Sequence, residues 1–247
     1  IVGALAGQHL KPALLELGGK APLVVLDDAE LEAAVDAAVF GAFMNQGQIC
    51  MSTERVVVDS QIADTFVERF AARSSALKVG APSDPTPIGP VVDASTVERL
   101  TRLIDDAVRQ GAKVVSGGSG EGVYFKPTIV DHVTRDMQLY HEESFGPIVA
   151  IVRVEGDDEA VRVANDSEYG LSSAVFGRDL TRAISVAQRI EAGMCHINSA
   201  TVQDEPQMPF GGVKASGLGR FGGLAGVHEF TELRWLSIAM QPRHYPF

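Results

Sequence analysis

The chain has 247 residues, of which 45% are hydrophobic, and it carries a formal net charge of −11. That length and apolar content suit one large domain or two modest ones with a substantial core. The acidic balance disfavours nucleic acids and anionic membranes as partners, because negative charge repels their phosphates. A small neutral substrate is compatible with it.

The numbers and spacing of the cysteines and histidines argue against a disulfide-rich protein and against a metalloprotein. Cys50 and Cys195 are the only cysteines, too few for a disulfide framework or a thiolate metal site. The six histidines do not pair at metal-ligand spacing, so no metal is expected. We find no secretory leader and no apolar run long enough to span a bilayer. A cytoplasmic protein without membrane contact is therefore expected.

The predicted elements alternate between helices and strands from the start of the chain. After Asp27 and Asp28, which are candidate caps, apolar residues at four-residue intervals predict a helix over 31–43. A strand is predicted at 55–58, and a helix with an apolar stripe over 62–70 follows it.

The middle and end of the chain continue the alternation. Ser95 and Glu98 form a capping-box pattern ahead of a helix that would stop at Gly111. The glycines of 117–122 are typical of a hairpin turn. The remaining predicted elements are strands at 113–115, 148–154 and 172–176, a helix at 180–192 ended by Gly193, a strand at 194–198 and an extended segment at 230–240.

This order of elements predicts an α/β fold with three layers, in which a largely parallel sheet is flanked by helices on both faces. No internal repeat divides the chain, and no linker rich in proline, glycine or serine does so. An exposed strand in the tail would be a pairing edge for another subunit. We therefore expect a homo-oligomer formed through a C-terminal strand.

Cys50 follows Gln-Gly-Gln-Ile at 46–49, directly after the first strong helix and before a strand. Such junctions at the rim of an α/β sheet carry catalytic loops. The competing interpretation is a buried structural cysteine, since free cysteine is among the most buried residue types. Periodicity alone does not separate the two.

Glu16 lies between Leu15 and Leu17. Burying a carboxylate without partners is unfavourable and raises its pKa towards the range useful for a general base. Alternation places Glu16 on the same side of a strand as Leu14, which favours a functional carboxylate. The alternative is a glutamate on the polar face of that strand.

Two later segments combine charge or glycine with turn residues. Residues 142–147, Glu-Glu-Ser-Phe-Gly-Pro, are compatible with a solvated acidic loop. Residues 209–220 are glycine-dense but lack the Lys-Ser/Thr ending of a phosphate-binding loop, so a shaped loop fits better. His196 is interpreted as a strand residue near a pocket rather than a metal ligand.

Together these segments resemble four motifs of the aldehyde dehydrogenase family, in the family's order and along essentially the whole chain. Residues 15–20 resemble its glutamate signature, and residues 47–50 resemble its cysteine signature. Residues 142–147 resemble the motif E-E-x-F-G-P, and residues 209–217 resemble P-F-G-G-x-K-x-S-G.

The resemblance implies a mechanism and a set of site residues. Cys50 would attack an aldehyde carbonyl to give a thiohemiacetal, hydride would pass to NAD or NADP, and Glu16 would activate the water that hydrolyses the thioester. Glu143 would bind the nicotinamide ribose with Phe145 beside the ring. The backbone N–H of Cys50 would form part of the oxyanion hole.

A finer resemblance, carried by residues 194–198 and 204–210, is to bacterial salicylaldehyde and related aromatic aldehyde dehydrogenases. It implies a small aromatic aldehyde as substrate and a mostly apolar pocket for a flat ring. The residues that the resemblance assigns to this pocket are Ile49, Met51, Val202 and Phe210.

Family members carry a cofactor-binding half upstream, so the resemblance also implies a truncated chain with weak affinity for NAD(P). Leu17 and Gly18 are assigned to the part of the cofactor site that this chain retains. The implied division is a remnant of the cofactor-binding domain at 1–26, a catalytic domain at 27–229 and a C-terminal oligomerisation strand and tail at 230–247. Within the first of these, residues 14–17 and 23–26 are expected to lack some of their strand neighbours.

Two other functions stay open at this point. Cys50 and Glu16 together would suffice for a cofactor-independent esterase or thioesterase. The chain would alternatively be a catalytically silent scaffold kept folded by dimerisation.

Overall fold

The computed structural model describes residues 1–247. The α-helices are α1 (Val2–Gln8), α2 (Leu31–Phe43), α3 (Ala63–Ser75), α4 (Ala94–Arg109), α5 (Gln138–His141), α6 (Gly156–Asn165), α7 (Leu180–Ala187) and α8 (Gly223–Glu229). The β-strands are β1 (Leu15–Glu16), β2 (Ala21–Val25), β3 (Thr53–Asp59), β4 (Lys113–Ser116), β5 (Gly120–Glu121), β6 (Tyr124–Phe125), β7 (Thr128–Asp131), β8 (Ile148–Val154), β9 (Tyr169–Gly170), β10 (Ala174–Phe176), β11 (His196–Ile197), β12 (Val213–Lys214) and β13 (Gly217–Leu218).

Seven of these strands form one sheet in the order β11-β10-β2-β3-β8-β7-β4. All neighbouring pairs are parallel except β4 and β7. Alternate residues of β2 point to opposite faces: Leu23 and Val25 join a core with α2 and α3, whereas Val24 joins a core with α4, α6 and α7. Because both faces are covered by helices, the predicted three-layer α/β architecture is confirmed.

The predicted gap in strand pairing at 23–26 is wrong. β2 lies in the interior of the sheet, pairs with β10 on one side and β3 on the other, and is buried along its whole length. Long connections return β10 to this position, which local sequence does not reveal. β1 is paired as well, with β13. The predicted boundary at residue 26 therefore falls directly after a central strand.

Several helix ends differ from the sequence prediction. The cap of α4 is Asp93, whose Oδ1 accepts from the Thr96 N–H at 2.8 Å, whereas Ser95 lies inside the helix and donates its hydroxyl to Asp93. α2 is capped by Glu30 rather than by either preceding aspartate. α7 ends at Ala187, five residues earlier than predicted.

The segment after α8 differs from the rest of the chain. Residues 230–247 form neither helix nor strand and are exposed throughout. Their large apolar side chains include Trp235 and Phe247, which are 92% and 108% exposed. A hairpin is present near the predicted turn at 117–122 but spans 120–125: a turn at 122–123 joins β5 and β6, and Gly117 and Gly118 lie before it. None of the eight helices is both long enough and apolar enough to cross a bilayer.

Candidate active site

Cys50 lies just before β3, after a turn of unusual backbone conformation that follows α2. Asn45, Gln46 and Gly47 have φ angles of 49°, 58° and 68°, a left-handed conformation that side chains other than glycine rarely adopt. A Cβ on Gly47 would overlap the carbonyl oxygen of Gly146. Only glycine therefore fits this close approach, and the chain continues through Cys50 into β3.

The Cys50 thiol lies half-buried beside two carboxylates. Burial raises the pKa of this thiol, and the negative charges of Glu16 and Glu143 raise it further. The N–H groups of Cys50 and Met51 point towards the sulfur and partly oppose the shift. Two carboxylates that are 34 and 93 positions from Cys50 along the chain thus lie close enough for their charges to act on its thiol.

Glu16 lies on β1, paired with Gly217 of β13. Both of its carboxylate oxygens are shielded from solvent, and neither has a hydrogen-bond partner. Desolvation consequently raises the pKa of Glu16, and the Arg220 guanidinium opposes that rise. A carboxylate of this kind is available to take a proton from water or from a thiol.

Glu143 reaches the same region from the loop before β8. Its Oε1 accepts from the Gly19 N–H at 2.8 Å, and a side chain at Gly18 would overlap its carboxylate. Burial raises the pKa of Glu143, and the bond from Gly19 partly opposes this. The acidic loop of 142–147 is therefore not solvated throughout, because the Glu143 side chain points into the protein.

The glycine-dense segment 209–220 is a shaped loop, as predicted. Buried Ser216 donates from its hydroxyl to the Gly18 carbonyl at 2.7 Å and accepts from the Gly170 N–H at 2.9 Å. The Leu17 N–H donates to the Ser216 carbonyl at 3.1 Å. The loop thus fixes the backbone around Glu16 and leaves the Leu17 side chain 50% exposed.

Three charged residues near the site were missed by sequence reasoning. Arg220 lies beside Glu16, and Lys20 forms a buried ion pair with Glu54. Arg220 gives no signal that would single it out among exposed arginines. Glu54 does: it stands beside Arg55, directly before the apolar run of 56–58, where a buried charge requires a partner.

The four predicted pocket residues are distributed around the site. Met51 is buried, and its carbonyl accepts from the Thr201 hydroxyl at 2.8 Å, which brings it to the segment carrying Val202. Ile49 is half-buried in the turn before Cys50.

Phe210 is half-buried and lines a cavity of about 260 Å³, and Ile49, Met51 and Val202 are not among the lining residues of this cavity. His196 also lines it from β11, as expected for a strand residue near a pocket. Whether the four residues act as one substrate pocket stays a prediction.

The two cysteines offer a direct test of the site. We expect iodoacetamide to label Cys50 faster than Cys195, because Cys195 is more deeply buried and packs against the core. Burial raises the pKa of both thiols, so labelling should accelerate as pH rises, since the thiolate is the reactive form. Peptide mass spectrometry of briefly treated protein measures both rates. Equal labelling of the two would contradict the assignment of Cys50.

Comparison with known proteins fits this geometry. The model of the aldehyde dehydrogenase family matches residues 1–236, and the chain belongs to that family. It is 59% identical over 247 residues to a vanillin dehydrogenase from Pseudomonas fluorescens, covering 100% of this chain and 51% of that protein.

Two solved structures extend the comparison. The crystal structure of a salicylaldehyde dehydrogenase from Pseudomonas putida G7, complexed with salicylaldehyde, matches with a TM-score of 0.97 and 55% identity, over 100% of this chain and 51% of that one. An NAD-dependent aldehyde dehydrogenase from Sinorhizobium meliloti matches with a TM-score of 0.95 and 35% identity, over 100% and 50%. The chain spans about half the length of the relatives it matches.

Proposed function

We propose that this chain carries the catalytic chemistry of an NAD(P)-dependent aldehyde dehydrogenase that oxidises aromatic aldehydes such as salicylaldehyde to carboxylic acids. The observation that carries the proposal is the meeting of Cys50, Glu16 and Glu143 at one place, from three separate segments. Family membership supports the same chemistry.

In the proposed reaction Glu16, a carboxylate without hydrogen-bond partners, accepts the proton of the Cys50 thiol. The thiolate attacks the aldehyde carbonyl and forms a thiohemiacetal on Cys50. The Cys50 N–H, which donates to no backbone carbonyl of the chain, is placed to stabilise the oxyanion. Glu16 passes the thiol proton on to solvent, and the thiohemiacetal loses hydride to become a thioester. Glu16, again a carboxylate, then deprotonates the hydrolytic water, whose attack expels the Cys50 thiolate and releases the acid.

The nicotinamide cofactor, when bound, supplies the hydride acceptor that this reaction needs. The residues present fit its ribose end. Glu143 commits one carboxylate oxygen to the Gly19 N–H, so its second oxygen can accept from a sugar hydroxyl. Phe145 is 37% exposed, which leaves part of its ring available for an aromatic neighbour. We propose that Leu17 and Gly18 contact the cofactor at the same place.

The preference for aromatic aldehydes rests on the relatives and on the pocket. The relatives described above are a vanillin dehydrogenase and a salicylaldehyde dehydrogenase. We propose that Ile49, Met51, Val202 and Phe210 provide the apolar surroundings of the substrate ring. Apolar pockets discriminate weakly between similar rings, so several aromatic aldehydes should be accepted.

The proposal is tested by NADH and NADPH formation with salicylaldehyde, vanillin and acetaldehyde. We expect faster turnover of the two aromatic aldehydes, and comparison of the cofactors shows which one the protein uses. Absence of aldehyde-dependent reduction of either cofactor, in folded protein whose Cys50 is labelled normally, would contradict NAD(P)-dependent oxidation by this chain. Cofactor-free, Cys50-dependent hydrolysis of p-nitrophenyl acetate would then favour an esterase, and inactivity in both assays would favour a scaffold.

We further propose that residues 230–247 mediate homo-oligomerisation. Phe230 lies beside Phe221, with 6.2 Å between the ring centroids, but beyond it the segment carries five large apolar side chains that are more than 80% exposed: Leu233, Trp235, Ile238, Met240 and Phe247. Burying such side chains against another subunit removes apolar surface from water. Removing residues 231–247 should therefore convert an oligomer to a monomer in light scattering, whereas an unchanged mass would contradict this role.

A further inference from the structure

A buried ion pair lies beneath the loop that carries Glu143. The Lys20 Nζ is 2.8 Å from the Glu54 Oε2, and the two side chains are 0% and 4% exposed. Lys20 directly precedes β2 and Glu54 lies in β3, so the pair bridges two adjacent central strands. Burial lowers the pKa of Lys20, and the Glu54 carboxylate opposes that shift. The proposed chemistry uses neither residue.

The remaining hydrogen-bonding capacity of this pair goes to the loop. The Glu54 carboxylate accepts from the N–H groups of Ser144 at 3.1 Å and Phe145 at 3.0 Å, and from the Ser144 hydroxyl at 2.7 Å. Lys20 donates to the carbonyl of Glu142 at 2.6 Å. The backbone on both sides of Glu143 is therefore held by one carboxylate and one ammonium.

This arrangement determines the positions of Glu143 and Phe145, the two residues proposed to contact the cofactor. Phe145 has a φ of 42°, a left-handed conformation that is unfavourable for an aromatic residue and persists only when its surroundings hold it. Its N–H bond to Glu54 supplies such a restraint. Glu143, two residues earlier, accepts from the N–H of Gly19, the neighbour of Lys20. The positions of Glu143 and Phe145 therefore both depend on the buried pair of Lys20 and Glu54.

We propose that Glu54, neutralised by Lys20, is a positioning residue that holds Glu143 and Phe145 ready to receive a nicotinamide ribose. The inference rests on the function proposed above. Glu54 itself touches neither substrate nor cofactor. A carboxylate is required because four donor groups converge on it, and a glutamine would turn its NH₂ group against donors that it cannot satisfy.

The test compares Glu54→Gln with the conservative Glu54→Asp and with Glu32→Gln. The last removes the same charge from an exposed pair with Arg69. The probe is nicotinamide mononucleotide, titrated into the 247-residue chain and followed by NMR. We expect Glu54→Gln to weaken its affinity by about ten-fold, the loss of about 1.4 kcal/mol. Glu54→Asp should recover part of this, and Glu32→Gln should match the unmodified chain.

Two further measurements separate positioning from folding. Cofactor-free hydrolysis of p-nitrophenyl acetate by Cys50 should change less than two-fold in Glu54→Gln. Hydrogen exchange at the amides of Ser144 and Phe145 should accelerate. The double variant Lys20→Met with Glu54→Gln removes the unpaired ammonium, and it should regain thermal stability without regaining affinity.

Each contrary outcome has a defined meaning. Full affinity in Glu54→Gln or in the double variant would overturn the inference, as would an unmodified chain that hydrolyses the ester through Cys50 but does not bind the mononucleotide. An unmodified chain that shows neither Cys50-dependent hydrolysis nor binding would overturn the proposed function itself.

Discussion

Replacing Cys50 with alanine is expected to lower aldehyde oxidation by on the order of 10⁴–10⁶-fold, the range found when a catalytic nucleophile or its partner is removed. In the proposed mechanism the thiol forms the covalent bond on which both later steps depend. Cofactor-free hydrolysis of p-nitrophenyl acetate should fall with it, since the same sulfur would be acylated. Both activities are measurable on one preparation, by NADH and p-nitrophenol absorbance.

The matched control is Cys195→Ala. Cys195 packs against the core beside α7, so the same substitution there should change activity little and lower thermal stability slightly. Substantial activity in a well-folded Cys50→Ala protein would rule out Cys50 as the nucleophile. If only Cys195→Ala lost activity, Cys195 would be the nucleophile, and the active site would lie at the 260 Å³ cavity that it lines.

Replacing Glu16 with glutamine is expected to slow turnover by about 10²–10⁴-fold, the usual contribution of a general base. The amide keeps the shape of the side chain but cannot take a proton. If the ester still acylates Cys50 but hydrolysis stalls, p-nitrophenol should appear as a burst of one equivalent, followed by slow release. A steady state without a burst would place the defect before acylation.

The environment of Glu16 also sets the direction of the pH dependence. Desolvation raises the pKa of Glu16, and Arg220 lowers it. The base form is needed, so activity should be lost as pH falls through a pKa above the ordinary carboxyl value. Arg220→Met removes the opposing cation and should shift this acidic limb to higher pH. Because the charge of Glu16 raises the pKa of Cys50, Glu16→Gln should allow thiol labelling at lower pH.

Helices and strands were predicted well from the sequence where a single local pattern of apolar residues determines them. The continuous apolar run of β8 gives the strand at 148–154, and the four-residue spacing gives α2 at 31–43. Helix ends were predicted less well, since Asp93 and Ser95 are both favoured capping residues and the sequence alone does not show that Asp93 takes this position. The interior position of β2 depends on long connections, which local patterns do not contain.

At the site, sequence motifs indicated which residues to examine but not how their charges face one another. Cys50, Glu16 and Glu143 stand in recognisable segments, and the structure brings their charges together. The contact between Lys20 and Glu54 joins residues 34 positions apart on neighbouring strands. Such pairs follow from strand order and register, so they can be identified only once the strand order of the sheet has been determined.

The pairing of β1 with β13 has a consequence for biosynthesis. Leu15 and Glu16 leave the ribosome some 200 residues before their partners Leu218 and Gly217. All strands of the seven-stranded sheet, the last of which ends at Ile197, are synthesised before residue 217 and can pair sooner. The sheet that carries the proposed nucleophile can thus form before the strand that carries the proposed base finds its partner. A nascent chain, or one clipped before residue 217, would hold a reactive sulfur that can capture an aldehyde without completing its conversion.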